Sequence, residues 1–460
     1  MRNISSDFLI SQQPDQRFET SIHLSANIYI SIGKNVPFRE LRNINGERSI
    51  LIGHAVVASD SGEPKRIGEI VKPDILAHSQ NWAGRWLLIS PKMIIPDGVA
   101  SLSCFYPINK NGVIGASHPS LACPTSKLID EAAVATGAVI PPGTGYEGVK
   151  KLLPTQIMLI TDGRIKKRPV NFNTDCKLTY EQLLESLAAK YQSIIRGIAA
   201  EANELWLPLT AGLDSRLLLA IAASSNIEFQ AFTFQKGYLN MPIADRVTPP
   251  KLSRIVKINH KKIYGKAANK DIVDEMTLHF GRLSEDPGTP LYFAKHGYYD
   301  SFNSRATLLS GLFGELGRAY FHRKISTNNI SADDIATTAV RTVPNYQAAQ
   351  ELVDWWHTYP LSGVDPIERA HWEARLSGKT CNALNLSDYM FQNKISGIFP
   401  AFNCLDVFCD LFSFEREIRI GGQHMLDLVK MLCPEILTLP INSKGNVIER
   451  RFRALLRKFV

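Results

Sequence analysis

Long apolar runs are missing from this 460-residue chain. No stretch approaches the roughly eighteen unbroken apolar residues that a membrane-spanning helix requires, so no transmembrane segment is expected. Paired cysteines are missing too. The seven cysteines, at 104, 123, 176, 381, 404, 409 and 433, form no CxxC pair and no Cys/His spacing of a zinc site, and their odd number fits reduced, mostly buried thiols. The segment Met1-Arg2-Asn3-Ile4-Ser5-Ser6-Asp7 opens no apolar run of signal-peptide length, and a soluble, cytoplasmic protein is expected. Charge of one sign is not concentrated either. The excess of 52 Lys+Arg over 44 Asp+Glu gives +8, spread along the chain, and no nucleic-acid partner is expected. The densest basic cluster is Arg450, Arg451, Arg453, Arg457 and Lys458, with Phe452, Leu455, Leu456 and Phe459 at helical spacing. It reads as an amphipathic C-terminal helix docked on its own protein. No internal repeat or low-complexity tract is visible.

What is present is a globular composition, 45% hydrophobic and 21% charged, over a length that suits two or three domains. The first part is rich in short apolar segments, such as Asn27 to Ile32, Ile50 to Val57, Trp86 to Ser90 and Gln156 to Thr161. Turn signals separate them, including Asn45-Gly46, Asn111-Gly112, Pro141-Pro142-Gly143 and Asp162-Gly163. This predicts a strand-dominated domain over 1–172. Asn171 to Lys177 is polar and without period, a linker by composition.

The domain expected over 173–460 begins differently. Thr179 stands three residues before Gln182, a capping-box spacing. The stripe Leu183, Leu184, Leu187, Ala188, Tyr191, Ile194, Ile195, Ile198 then predicts a long amphipathic helix. A strand (Leu205 to Leu209), a Gly-containing turn, an apolar helix (Arg216 to Ala223) and a second strand (Phe229 to Phe234) follow. That βαβ order implies a parallel, doubly wound sheet, so the class is α/β with helical insertions. From about 330 the apolar spacing is mainly helical.

The segment Leu209-Thr210-Ala211-Gly212-Leu213-Asp214-Ser215-Arg216 lies where a strand gives way to a helix. Amides converge at a helix N-terminus with partial positive charge, which suits phosphate. Small residues at 210, 211 and 212 let the backbone come close to a ligand. Ser215 offers a donor to a phosphate oxygen, and Asp214 a carboxylate for the Mg²⁺ that accompanies ATP. The same residues also serve a turn in which Gly and Asp do nothing but shape and cap.

This segment resembles the pyrophosphate-binding loop of the N-type ATP pyrophosphatases, usually Ser-Gly-Gly-Leu-Asp-Ser, as in asparagine synthetase. Thr210 and Ala211 replace the first Ser and Gly. Ala231-Phe232-Thr233-Phe234 resembles the family's second strand, whose backbone reads adenine. Asp245 and His260 resemble its Asp…His run; with Pro249 and Pro250 between them, the helix there is expected to start at about 250. His260 itself reads better as a structural histidine at a strand start. Leu308 to Tyr320, with Ser310-Gly311-Leu312-Phe313-Gly314-Glu315 at its centre, resembles the family's Ser-Gly-Glu-Gly-x-Asp-Glu segment. The resemblance implies that Leu209, Thr210, Ala211, Gly212, Asp214, Ser215, Thr233, Ser310 and Gly311 bind ATP, and that Asp214 and Glu315 hold Mg²⁺. The family's Glu that handles the proton of ammonia is Leu312 here, so another group takes that proton or the acceptor is not ammonia. Pro434 to Gly445 resembles the family's Leu-Pro…Lys loop, with Lys444 as the group that stabilises the oxyanion; an ordinary exposed lysine is the competing reading. Phe399-Pro400-Ala401-Phe402-Asn403…Asp406 resembles the segment lining the acceptor side.

The N-terminal part resembles the family's glutaminase-like sandwich through Gly84-Arg85-Trp86-Leu87-Leu88, Pro96-Asp97-Gly98…Phe105-Tyr106 and Pro141-Pro142-Gly143-Thr144…Lys151-Leu152-Leu153-Pro154. An active glutaminase of this type needs an N-terminal cysteine. Met1 is followed by Arg2 and the first cysteine is Cys104, so no glutaminase activity is expected. The layout is similar to β-lactam synthetases and lasso peptide cyclases, which close amides on preformed amines. The expected function is ATP-dependent amide-bond formation through an acyl-adenylate, with small-molecule or peptide carboxylate and amine substrates. The rival is a degenerate binding or scaffold protein that keeps the fold. A tRNA-thiolating adenylation is argued against by the lack of paired cysteines and of a basic face. A homodimer stays open. Trp355, Trp356, His371, Trp372, Glu373 and Arg375 read as acceptor-pocket or core residues.

Overall fold

The computed structural model describes residues 5–441 except 26, 44, 68–74, 110–111, 131–133, 135–138, 171, 173–177, 236–240, 267–269, 272–273, 275–295, 304, 326–329, 341–345, 383 and 386–394. Lys444 and the expected C-terminal helix lie outside the described residues. Two antiparallel sheets come first. They contain β1 (Phe8–Ser11), β2 (Thr20–Ser25), β3 (Ile28–Ile32), β4 (Phe38–Arg42), β5 (Arg48–Val57), β6 (Trp82–Ile89), β7 (Met93–Pro96), β8 (Phe105–Pro107), β9 (Val113–Ala116), β10 (Val149–Lys151), β11 (Gln156–Leu159) and β12 (Ile165–Lys167). One sheet runs β10-β8-β9-β1-β3-β2, the other β12-β11-β7-β6-β5-β4.

The strand period of two decides how these sheets pack. Ile50 and Ile52 of β5 and Leu87 and Ile89 of β6 turn inward, where they meet Phe8, Ile10 and Ile30 of the first sheet. The alternate residues Leu51, Ala55, Trp82, Trp86 and Leu88 build a separate cluster on the other face. A sheet apolar on both faces must be covered on both.

Behind this lies a five-stranded sheet in the order β15-β14-β13-β16-β17, all neighbours parallel. Its strands are β13 (Glu204–Pro208), β14 (Gln230–Gln235), β15 (His260–Tyr264), β16 (Ala306–Ser310) and β17 (Ile395–Pro400). Helices α1 (Tyr180–Glu201), α2 (Leu213–Ser224), α3 (Ile243–Ile255), α4 (Leu405–Ser413) and α5 (Gln423–Leu432) flank it. The chain is thus mixed α/β. Among the described residues no helix is long and apolar enough to cross a membrane.

Three local expectations change. Helix α3 begins at Ile243, not near 250, and runs through Pro249 and Pro250. Each proline removes one backbone donor, yet Pro249 and Leu252 are buried on one face, and tertiary burial outweighs the local cost. Strand β17 appears inside a region whose spacing is mainly helical. Phe172, in the polar segment read as a linker, is core: its ring meets Trp372 edge-on at 5.5 Å and Phe412 at 5.4 Å.

The β-rich and parallel-sheet parts meet around Asp97, which is fully buried. Its carboxylate accepts from the amides of Trp86 (3.2 Å), Val99 (3.1 Å), Ser101 (2.9 Å) and Leu102 (3.1 Å), from the Ser101 hydroxyl (2.7 Å), and from Asn403 Nδ2 (2.8 Å). Gly84 on β6 adopts φ +121°, and a Cβ there would lie 2.5 Å from the His54 carbonyl oxygen and 2.6 Å from the Phe399 ring. Only glycine lets β17 press this closely.

Candidate active site

Strand order reverses at β13. The chain moves outward through α2 to β14 and through α3 to β15, then returns to the other side of β13 as β16. Loops at the carboxyl ends of strands flanking such a switch point form the crevice where open α/β sheets bind ligands. The two loops there are 209–212 and 311–315, the two segments singled out from sequence.

The first loop is held from within. Leu209 is buried, its amide donates to the Phe232 carbonyl at 2.8 Å and its own carbonyl accepts from the Thr233 hydroxyl at 2.7 Å. Thr233 also meets His260 Nε2 at 2.9 Å, so His260, the first residue of β15, braces two strands. The Thr210 amide donates to Ser215 Oγ (3.2 Å), the Gly212 amide to Thr210 Oγ1 (3.1 Å) and the Ala211 amide to Asp245 Oδ1 (2.8 Å). Side-chain oxygens therefore occupy the bend's own amides. The N-cap of α2 is Gly212, which supplies no side-chain acceptor. The first-turn amides of Leu213, Asp214 and Ser215 have no carbonyl one turn earlier, and they carry the positive end of the helix.

The second loop closes against the first. Ser310 is buried at the end of β16 and its hydroxyl accepts from the Leu312 amide at 3.2 Å. A Cβ on Gly311 would touch Asp214 at 3.7 Å; one on Gly314 would lie 3.4 Å from Asp214 Oδ1 and 2.9 Å from the Phe402 ring. Asp214 Oδ2 accepts from Arg318 Nη2 at 2.7 Å, while Oδ1 is buried with no hydrogen-bond partner among the described residues. Burial holds the Asp214 carboxyl above its ordinary range, with Arg318 opposing. Burial does the same to Glu315, opposed by Arg375 and Arg318 and assisted by Asp214. Asp214 thus acts on the charge of Glu315, while Arg318 acts on both. Phe313 (φ 73°) and Ala319 (φ 44°), on either side of Glu315, are left-handed without being glycine. Each such residue costs on the order of 1–3 kcal/mol and such strain gathers at ligand sites.

Among the described residues no group of three or more His, Cys, Asp or Glu is arranged to hold a metal ion. A buried acceptor there, Asp214 Oδ1, stands without a partner among the described residues, and a carboxylate oxygen is the donor type that Mg²⁺ takes beside phosphates and water.

Arg318 and Arg216 carry no role at the site in the sequence, and His371 reads there only as an acceptor-pocket or core residue. Arg318 covers one side of Asp214. His371 Nε2 stands 3.9 Å from Glu315 Oε1 without a hydrogen bond, its ring stacked on Phe321, and burial lowers its pKa to about 3. Arg216, fully buried, donates to the carbonyls of Ile436 (3.0 Å), Leu439 and Pro440 (3.0 Å). It ties the helix behind the first loop to the strap that leads toward Lys444. A cation followed by the apolar run Leu217 to Ala223 was the available signal for Arg216.

Other expected residues face elsewhere. Asn403 Nδ2 bonds the Gly84 carbonyl and Asp97, Asp406 pairs with Lys190 at 2.8 Å, and Phe402 lies beneath Gly314. This segment supports the site from behind instead of lining its acceptor side. Trp372 is buried with Nε1 on the Gly98 carbonyl at 2.8 Å, and Glu373 is buried between Thr155, Trp356 and Arg369. Both are core.

No family model matches the chain, and no curated protein matches it. Solved structures do match, 28 chains in all. One is the glutamine-dependent NAD+ synthetase from Acinetobacter baumannii in complex with adenosine diphosphate, at 14% identity and a TM-score of 0.17, covering 28% of this chain and 22% of that one. So the chain spans under a quarter of that synthetase, a likeness too slight to speak for function.

Proposed function

We propose that this chain is an ATP-dependent amide-forming ligase of asparagine synthetase-like type, acting through an acyl-adenylate. The observation that carries the reading is the meeting of Asp214 with the 311–315 loop at the switch point, the Gly311 and Gly314 backbones against its carboxylate. The uncapped first turn of α2 supplies amides for phosphate oxygens. Arg318, with Arg375 and Lys324 in the field of Glu315, supplies cations for a triphosphate. Asp214 Oδ1 and Glu315 would hold Mg²⁺, which when bound offsets charge on the phosphates and on leaving pyrophosphate. A substrate carboxylate oxygen attacks the α-phosphorus, the bond to the bridging oxygen breaks, and pyrophosphate departs. An amine then attacks the acyl carbon, loses a proton, and AMP leaves; Lys444 is assigned to the oxyanion of that step. The amine is preformed in this reading. Cys104, the first cysteine, is buried and its thiol is pushed up to about 12, which suits no nucleophile.

One observation favours a second reading, a binding protein that has kept the fold: Arg318 sits on Asp214, and the amides of the bend are bonded internally. ATP–pyrophosphate exchange separates the two. With a pool of small carboxylic acids added to the full chain, exchange is expected to depend on an acid and on Mg²⁺. Nucleotide binding with no exchange from any acid would select the binding protein.

A further inference from the structure

Lys151 ends β10 and is 2% exposed. Its ammonium carries three donors, of which the Ser377 carbonyl accepts one. Among the described residues no carboxylate lies within ion-pair distance of it. Burial holds its pKa below the ordinary range, with Cys381 and then Asp97 favouring the cation and Arg85 opposing it. Asp97 is already saturated by the six donors described above. A buried cation with one neutral partner is costly unless something anionic completes its surroundings.

Lys151 lines a cavity with about 70 Å³ of room for the centre of a water-sized sphere, part of it open to solvent. That is several times the roughly 10–15 Å³ that one water needs. Phe105, Val134, Val139, Pro141 and Tyr146 make most of the lining apolar, and Asn382 and Asn385 bring amides to the same wall as Lys151. Asn385 is oriented by two bonds, its Oδ1 accepting from Arg85 at 2.7 Å and its Nδ2 donating to Ser103 Oγ at 2.7 Å. One cation, two amides and an apolar chamber are the chemistry that recognises a carboxylate on an apolar body. A phosphate dianion asks for more donors than this wall offers.

We infer that the cavity lined by Phe105 of β8, Lys151 of β10, Gly378, Asn382 and Asn385 is a binding site for a small apolar carboxylic acid, held through its carboxylate by Lys151. The inference rests on this cavity alone and stands apart from the nucleotide reading. Calorimetric titration of the full chain at neutral pH with phenylacetate, and with its neutral isostere phenylacetamide, tests it. Phenylacetate is expected to bind about tenfold tighter than phenylacetamide, and Lys151→Met, which keeps the aliphatic stem, to erase the difference. Equal affinity for acid and amide, no binding of the acid up to about 10 mM, or a preference that survives Lys151→Met would overturn the inference. The wild-type comparison decides the matter even if the variant does not fold.

Discussion

Asp214→Asn is expected to lower acid-dependent ATP–pyrophosphate exchange by about 10²–10³-fold, the scale of losing one preorganised electrostatic group at a reacting centre. The substitution keeps the shape of the side chain and removes its charge, so the loop should keep its form while losing its hold on Mg²⁺. Stability is expected to move the other way. Burial holds the Asp214 carboxyl above its unfolded value, so its contribution is fully present below the unfolded pKa and is lost as pH rises through the folded one. At neutral pH the ionised group costs stability, and the neutral amide removes that cost. Arg318, whose side chain is 21% exposed, retains water when its partner goes. Thermal unfolding at pH 7 should therefore show a midpoint equal to or above that of the wild type, with exchange nearly gone. A variant that loses both together would mark Asp214 as a structural residue.

Asp97→Ala is expected to destabilise the chain by about 3–5 kcal/mol, read from the midpoint shift in urea unfolding. The carboxylate is buried and accepts from six donors, four of them backbone amides of 86–102. Alanine leaves those donors without an acceptor in a place water does not reach, and an orphaned buried donor costs about 1–3 kcal/mol. Asn403 connects this damage to the candidate site, because its Nδ2 bonds Asp97 and its neighbour Phe402 packs under Gly314. Asp97→Asn keeps one oxygen and should fall between. A loss below about 1 kcal/mol for Asp97→Ala would show that the network relaxes around the gap.

Helix α1 was legible because two signals agreed: the stripe from Leu183 to Ile198 and a capping box that Thr179 and Gln182 do form. The switch from short apolar segments between turn signals to βαβ order likewise announced both kinds of sheet. Where signals disagreed, the reading failed. Pro249 and Pro250 argued against a helix whose buried face held it together, and β17, with Ser396 and Gly397 inside it, carries little strand propensity of its own. At the site, the bend at 209–212 and the loop at 311–315 were found by residue type. Their contacts were not. Arg318 stands 104 residues from Asp214, Arg216 reaches carbonyls more than 200 residues away, and Asp245 braces Ala211 from another helix. Such pairings are products of the fold, and no local pattern encodes them.

The account depends on the crevice at the switch point accepting a nucleotide by its phosphates. Calorimetric titration of the full chain with Mg·ATP and with Mg·AMP asks that directly. The prediction is saturable binding of ATP, about tenfold or more tighter than AMP, because the α2 amides, Arg318 and the two carboxylates address the groups that AMP lacks. Absence of ATP binding, or equal binding of ATP and AMP, would contradict it.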